Sequence, residues 1–256
     1  MPSTAGIFWS NRESSRVTRV FVATLAMVLA GTPIVTAAPY EAETVINGGK
    51  IVGQVTFSGT APAAAPIKTT KNQDYCGMTI ANPVYQIGKG GALGNVEVYI
   101  REISKGKAKP TQPVSLTNAH CMFQPRVQGA CVGQQVKIAS EDPILHNTHP
   151  QVAATNETLY NVALPYKGFS VVKRLMPEAG VVRVKCDAHE WMRAWIIELD
   201  HPYFATTDTT GKFVLPDVPP GKYELVAWHE ALGEKTASVT VEGGKPASAN
   251  FQFMAK

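Results

Sequence analysis

The sequence has few cysteines, and its four never stand as Cys-x2-Cys-His, so covalent haem is not indicated. No apolar pattern persists at helical spacing over three turns, which argues against a helical protein. An excess of one charge is also lacking. Lys and Arg number 24 against 20 Asp and Glu, a formal charge of +4. Three of the arginines lie in the first 38 residues, so the remainder is near balance and has no electrostatic footprint for nucleic acid. After residue 38 no run approaches the roughly 20 apolar residues that a membrane span needs.

Glycine and proline are plentiful, at 21 and 18 residues, and they separate short apolar runs. That texture predicts an all-β chain of one or two domains, with 256 residues to build its core. Residues 1–38 have the layout of an export signal. Arg12, Arg16 and Arg19 form a basic region, Val20 to Ala30 an apolar run, and "VTAA" a small-residue cleavage site after Ala37 or Ala38. The expectation is a periplasmic or secreted protein that is free of the membrane once the leader is removed.

Period-two alternation marks the strands. Ile51, Val55 and Phe57 share one face of "KIVGQVTFSG"; Val96, Val98 and Ile100 share one face of "NVEVYI"; Val136 and Ile138 do so in "GQQVKIAS". Residues 171–186 read as a hairpin turning at "PEAG", with Val182, Val184 and Cys186 on the core face of its second arm.

The end of that arm carries the chemistry. In "VKCDAHEWM", Cys186, His189 and Met192 bring a thiol, an imidazole and a thioether into seven residues. This donor set suits copper, whose electron-transfer sites use two histidines, one cysteine and a long axial methionine. Zinc accepts His and Cys but rarely Met. A dinuclear copper centre would need a second cysteine in the loop, and none is there. The second imidazole must come from "DPILHNTHP", as His146 or His149. His189 and Met192 as core fillers, and Cys186 as half of a disulfide, are the plain alternatives.

Over residues 94–200, "DPILHN" and "CDAHEWM" resemble the cupredoxins, Greek-key β-sandwiches that hold one copper ion, and the Cys-x2-His-x2-Met loop is similar to the short ligand loop of the amicyanin type. Leu145 stands where that family has a proline, and Glu190 and Trp191 replace a proline and an aromatic. The resemblance implies His146, Cys186, His189 and Met192 as ligands. It also implies Asn147 as the residue tying the two ligand segments together near Asp187. More narrowly, the "HEWM" loop and the "DHPYFATTD" continuation are similar to those of exported bacterial cupredoxin-like proteins labelled methylamine utilisation proteins. With Cys186 on ligand duty, export favours a disulfide from Cys76 to Cys121, worth about 3–4 kcal/mol; pairing through Cys131 stays open. Trp191 is the candidate for a surface role beside an exposed ligand loop, where a redox partner protein would dock.

The stretch "TDTTGKFVLPDVPPGKYEL" resembles the carboxypeptidase regulatory-like, transthyretin-like β-sandwich, with Gly211 and the Pro219-Pro220-Gly221 turn setting its bends. Residues 201–256 supply only part of that fold, and the strand in residues 39–93 is a candidate to complete it. The expectation is a mononuclear copper electron carrier rather than an enzyme, since an axial Met192 leaves no open coordination position. The alternative is a copper-sequestering or metal-free module that binds a surface partner or glycan. Oligomeric state is not legible.

Overall fold

A computed structural model describes residues 39–60, 62 and 64–255, so the export signal expected in residues 1–38 lies outside the described residues. The described chain forms one compact unit built almost wholly of strands. No described helix is long and apolar enough to cross a membrane.

Two β-sandwiches make up this unit. In the first, a sheet ordered Ser170–Arg174, Gln135–Ser140, Val114–Ala119 and Met122–Gln124 faces a sheet ordered Val162–Leu164, His146–Val152, Gly180–Lys185, Arg193–Leu199 and Val127–Cys131. Leu116, Val136, Ile138, Val182, Val184 and Ile196 fill the space between them, as their alternation with polar neighbours requires. The second sandwich sets Phe204–Thr206, Glu97–Ile100, Gly221–His229 and Gly233–Val241 against Lys212–Val218, Gly49–Ser58, Pro246–Ser248 and Phe251–Met254. Its core includes Ile51, Val55, Phe57, Val98, Ile100, Leu215, Leu225 and Phe253.

Strand Gly49–Ser58 is the spine of its sheet, pairing with Lys212–Val218 on one side and with both C-terminal strands on the other. Gly53 sits where a Cβ would lie 1.7 Å from the Ala249 carbonyl oxygen, so only glycine lets the neighbouring chain pass so close. Pro216, which cannot donate to a ladder, lies in the edge strand at a bulge between Leu215 and Val218, where Asp217 takes a left-handed φ of 56°.

Two sequence-based expectations need correction. Strand Glu97–Ile100 was grouped with the copper unit at 94–200, but it pairs with Phe204–Thr206 and Gly221–His229 and buries its apolar face in the second sandwich. Alternation shows which face of a strand is apolar; it does not show which sheet that face meets. The hairpin across 171–186 also does not form. Ser170–Arg174 pairs with Gln135–Ser140, whereas Gly180–Lys185 pairs in the opposite sheet. The segment between them crosses from sheet to sheet, held by the buried Met176 and its N–H bond of 2.7 Å to Glu198 Oε2.

The sandwiches meet through Val127, Ile197 and Leu199 of the first, packed with Tyr99, Phe204 and Trp228 of the second. A buried ion pair crosses the seam. Arg126 holds both carboxylate oxygens of Glu230, with Nη2 at 2.7 Å from Oε2, and Trp195 Nε1 donates to Oε2 at 3.0 Å. Glu97, also at the seam, is wholly buried. Burial pushes its carboxyl up to about 8 against an opposing hydrogen bond from the Thr206 hydroxyl. Glu198 is pushed by burial to about 7.

Two predictions follow from these groups. Glu230→Ala strands a buried guanidinium and lowers unfolding stability by about 3–5 kcal/mol, whereas the pair Arg126→Met/Glu230→Leu costs far less; urea unfolding measures both. Between pH ~4.5 and 8, native Glu97 keeps a proton that the unfolded chain has released, so stability falls as pH rises through this window. Glu97→Gln reduces that fall and leaves the protein roughly 1–3 kcal/mol more stable at pH 9 than the wild type, by urea titration across pH.

Candidate metal centre

Residues His146, Cys186 and His189 come together at one end of the first sandwich. His146 opens strand His146–Val152, and Cys186 directly follows Gly180–Lys185, its antiparallel neighbour with His149 opposite Lys185. The loop then folds back into Arg193–Leu199, closed by the Met192 N–H bonding the His189 carbonyl at 2.9 Å. Val182, Val184 and Cys186 form one buried row, so the alternation of the strand itself delivers the thiol to the site.

The three donor atoms form a small triangle. His146 Nδ1 and His189 Nδ1 are 3.0 Å apart, and Cys186 Sγ lies 3.8 Å from His189 Nδ1 and 4.0 Å from His146 Nδ1. A point equidistant from all three is about 2.1 Å from each, the length of a metal–imidazole bond and close to that of a metal–thiolate bond. This is the one group of three or more His, Cys, Asp or Glu donors gathered this way among the described residues. Met192 is fully buried in the same core cluster as Cys186. Thiolate and two imidazoles, with a thioether buried in the same cluster, fit copper better than zinc.

Each imidazole is held from behind. His146 Nε2 is 2.9 Å from Asp142 Oδ2, and His189 Nε2 is 2.9 Å from Asn72 Oδ1. Both outer oxygens are placed to accept a hydrogen bond from Nε2–H, the tautomer that turns an Nδ1 lone pair toward the triangle. Burial lowers the proton affinity of both rings, against the opposing pull of Asp142 on His146. His189 is brought to about 4 by burial, helped by His146 and Lys71 nearby. The rings are therefore neutral, the form that binds metal. The Cys186 thiol is raised by burial and lowered by N–H groups of Asn147, His189 and Ala188, so metal entry displaces a proton from sulfur.

Asn147 joins the two ligand segments. Its N–H lies 3.4 Å from Cys186 Sγ, its Oδ1 accepts from Asp187 N at 2.7 Å and Ala188 N at 3.1 Å, and its Nδ2 donates to Asp187 Oδ2 at 3.1 Å. His149, the alternative imidazole, points elsewhere, with Nδ1 2.9 Å from Asp187 Oδ2 and Nε2 2.8 Å from the Thr158 hydroxyl. Cys76 and Cys121 are joined as a disulfide, and Cys131 is a free buried thiol.

The surface role considered for Trp191 meets a different geometry. Its ring is half-buried, 5.0 Å from the His189 ring, and its Nε1 donates to the Cys121 carbonyl at 3.0 Å. His189 itself is completely buried rather than exposed at a loop tip.

Sequence reasoning missed Asp142, Tyr75 and Asn72. The two Asp142 oxygens accept the N–H groups of His120 and Cys121 at 2.7 and 2.8 Å, the Tyr75 hydroxyl at 2.9 Å and His146 Nε2. Burial alone would raise this carboxyl, but these bonds hold it below the usual carboxylate range. Its place four residues before His146 in "DPILH" was a usable signal. Asn72 lies 117 residues before His189, and only the expected Cys76–Cys121 link hinted that its segment comes near.

No curated protein matches this chain. Among solved structures, a Cu(I) form of an amicyanin mutant is 18% identical over 34% of this chain and 82% of its own, with a TM-score of 0.29. A purple cupredoxin from Nitrosopumilus maritimus is 18% identical over 34% of this chain and 99% of its own, at 0.29. A copper-containing nitrite reductase from Thermus scotoductus is 19% identical over 40% of this chain and 25% of its own, at 0.29. The family model described as the carboxypeptidase regulatory-like domain matches residues 197–254, the part that carries the C-terminal strands of the second sandwich.

Proposed function

We propose that the chain is an exported mononuclear copper protein that carries single electrons, exchanging them with a partner protein. The observation that supports it is the triangle of two neutral imidazoles and one thiol with their outer contacts already made. Copper, when bound, supplies a one-electron couple between Cu(II) and Cu(I). The protein contributes rigidity. Strand pairing fixes His146 against Cys186, Asn147 fixes the loop, and Asp142 and Asn72 fix the rings, so little reorganisation accompanies a change of charge. The buried Met192 would offer its thioether to the ion and tune the potential.

Copper sequestration is the second reading, and one observation favours it: His189 presents no exposed edge. Stopped-flow reduction and reoxidation of the loaded protein separates the two. A carrier cycles rapidly and reversibly, whereas a store does not.

Copper titration with optical and electron-spin spectra tests the site itself. Wild-type protein takes one Cu(II) and shows an intense blue-to-green charge-transfer band, which Cys186→Ser abolishes. His146→Ala and His189→Ala each bleach or shift the band and weaken binding beyond the ~10–100-fold typical of a lost outer partner. Met192→Leu keeps copper and colour while raising the reduction potential. His149→Ala changes little. Copper bound without colour, or loss of the site in His149→Ala alone, refutes the assignment.

A further inference from the structure

We propose that Asn72 is a positioning residue of the metal centre, and that the disulfide-anchored segment carrying it seals the site. The proposal rests on the copper reading above and concerns a part of the chain well outside the ligand-bearing strands.

Four observations support it. Asn72 Oδ1 is the partner of His189 Nε2, at 2.9 Å, and His189 is wholly buried beneath this segment. Asn72 takes a left-handed conformation, φ 49° and ψ 41°, just before the short helix Gln73–Cys76, yet its side chain caps none of that helix. An asparagine in this position normally bonds its own backbone two or three residues on; here the amide is committed to the ring instead.

The segment is anchored along its length. Cys76 is bonded to Cys121, and the Tyr75 hydroxyl donates to Asp142 Oδ1, whose other oxygen holds His146. Gln73 Nε2 bonds the Thr69 carbonyl at 2.7 Å, and Ile67–Lys68 pairs with Thr79–Ile80. Lastly, the Trp191 indole, lying against the His189 ring, donates to the carbonyl of the same Cys121. One disulfide thus fixes the segment behind His189 and the turn that grips both Trp191 and Asp142.

The chemical role is specific. Accepting from Nε2–H, Asn72 favours the tautomer that leaves Nδ1 free over the competing one in which His189 Nδ1–H donates to His146 Nδ1, 3.0 Å away, and it stops the ring from turning about its Cβ–Cγ bond. By covering the ring it also makes escape of a bound ion depend on opening the segment.

Asn72→Gly is the informative variant, because glycine keeps the left-handed backbone while removing the amide. In the metal-free full chain, nitrogen-15 NMR of the histidine rings finds both His146 and His189 protonated on Nε2. In Asn72→Gly, His189 becomes a tautomer mixture while His146, held by Asp142, is unchanged. Asn72→Asp, which restores an acceptor, restores the His189 pattern. In the loaded protein, competition with a Cu(I) chelator shows copper held about 10–100-fold more weakly in Asn72→Gly, with recovery in Asn72→Asp. The double variant Cys76→Ser/Cys121→Ser shifts both readouts the same way as Asn72→Gly.

An unchanged His189 tautomer in Asn72→Gly overturns the proposal, as does failure of Asn72→Asp to restore it. If wild-type protein takes no copper, the functional reading fails, while the metal-free NMR arm still decides the role of Asn72.

Discussion

Asp142 accepts four hydrogen bonds on two buried oxygens, and the candidate metal centre is organised around that arrangement. A carboxylate out of water is tolerable only when its lone pairs are all used. Here two go to backbone N–H groups of the turn at His120 and Cys121, both in left-handed conformations, one to Tyr75 and one to His146. The need to satisfy one charge therefore brings together three segments that are distant in sequence. Remove the carboxylate and the turn loses its reason to hold two positive φ angles, the Tyr75 segment loses its seat, and the His146 ring is free to rotate.

Most of the candidate donors were legible because they are local. Cys186, His189 and Met192 lie within seven residues, and strand alternation put Cys186 in the core row with Val182 and Val184. The choice between His146 and His149 was not settled by spacing alone; it came from the resemblance carried by "HN", with Asn147 following His146. In the structure, alternation along His146–Val152 turns His146 inward, and His149 engages Asp187 on the outside. What supports the rings from behind was mostly hidden. Asp142 had a local signal, whereas Asn72 acts through a contact that no periodicity encodes.

The fold was legible strand by strand and less so sheet by sheet. Faces such as Ile51, Val55 and Phe57 were plain from alternation, yet partners depend on long-range pairing that alternation does not record. That is why Glu97–Ile100 could be read as a strand and placed in the wrong sandwich, and why 171–186 looked like a hairpin although its arms serve opposite sheets. Val127 and Ile197, together with the Arg126–Glu230 pair, then join the two sandwiches into one unit.

The pairing of Gly49–Ser58 with strands far along the chain has a consequence for the order of folding. Gln54 N bonds Asn250 Oδ1 across 196 residues, so the spine of the second sandwich has no sheet until residues 212–254 are available. The strands from Val114 to Leu199, by contrast, find all their sheet partners among themselves. Long loops are slow to close. The pairing thus favours closing the sandwich that carries the candidate metal centre before the two ends of the chain meet, and once closed it shortens the distance over which those ends must search for each other.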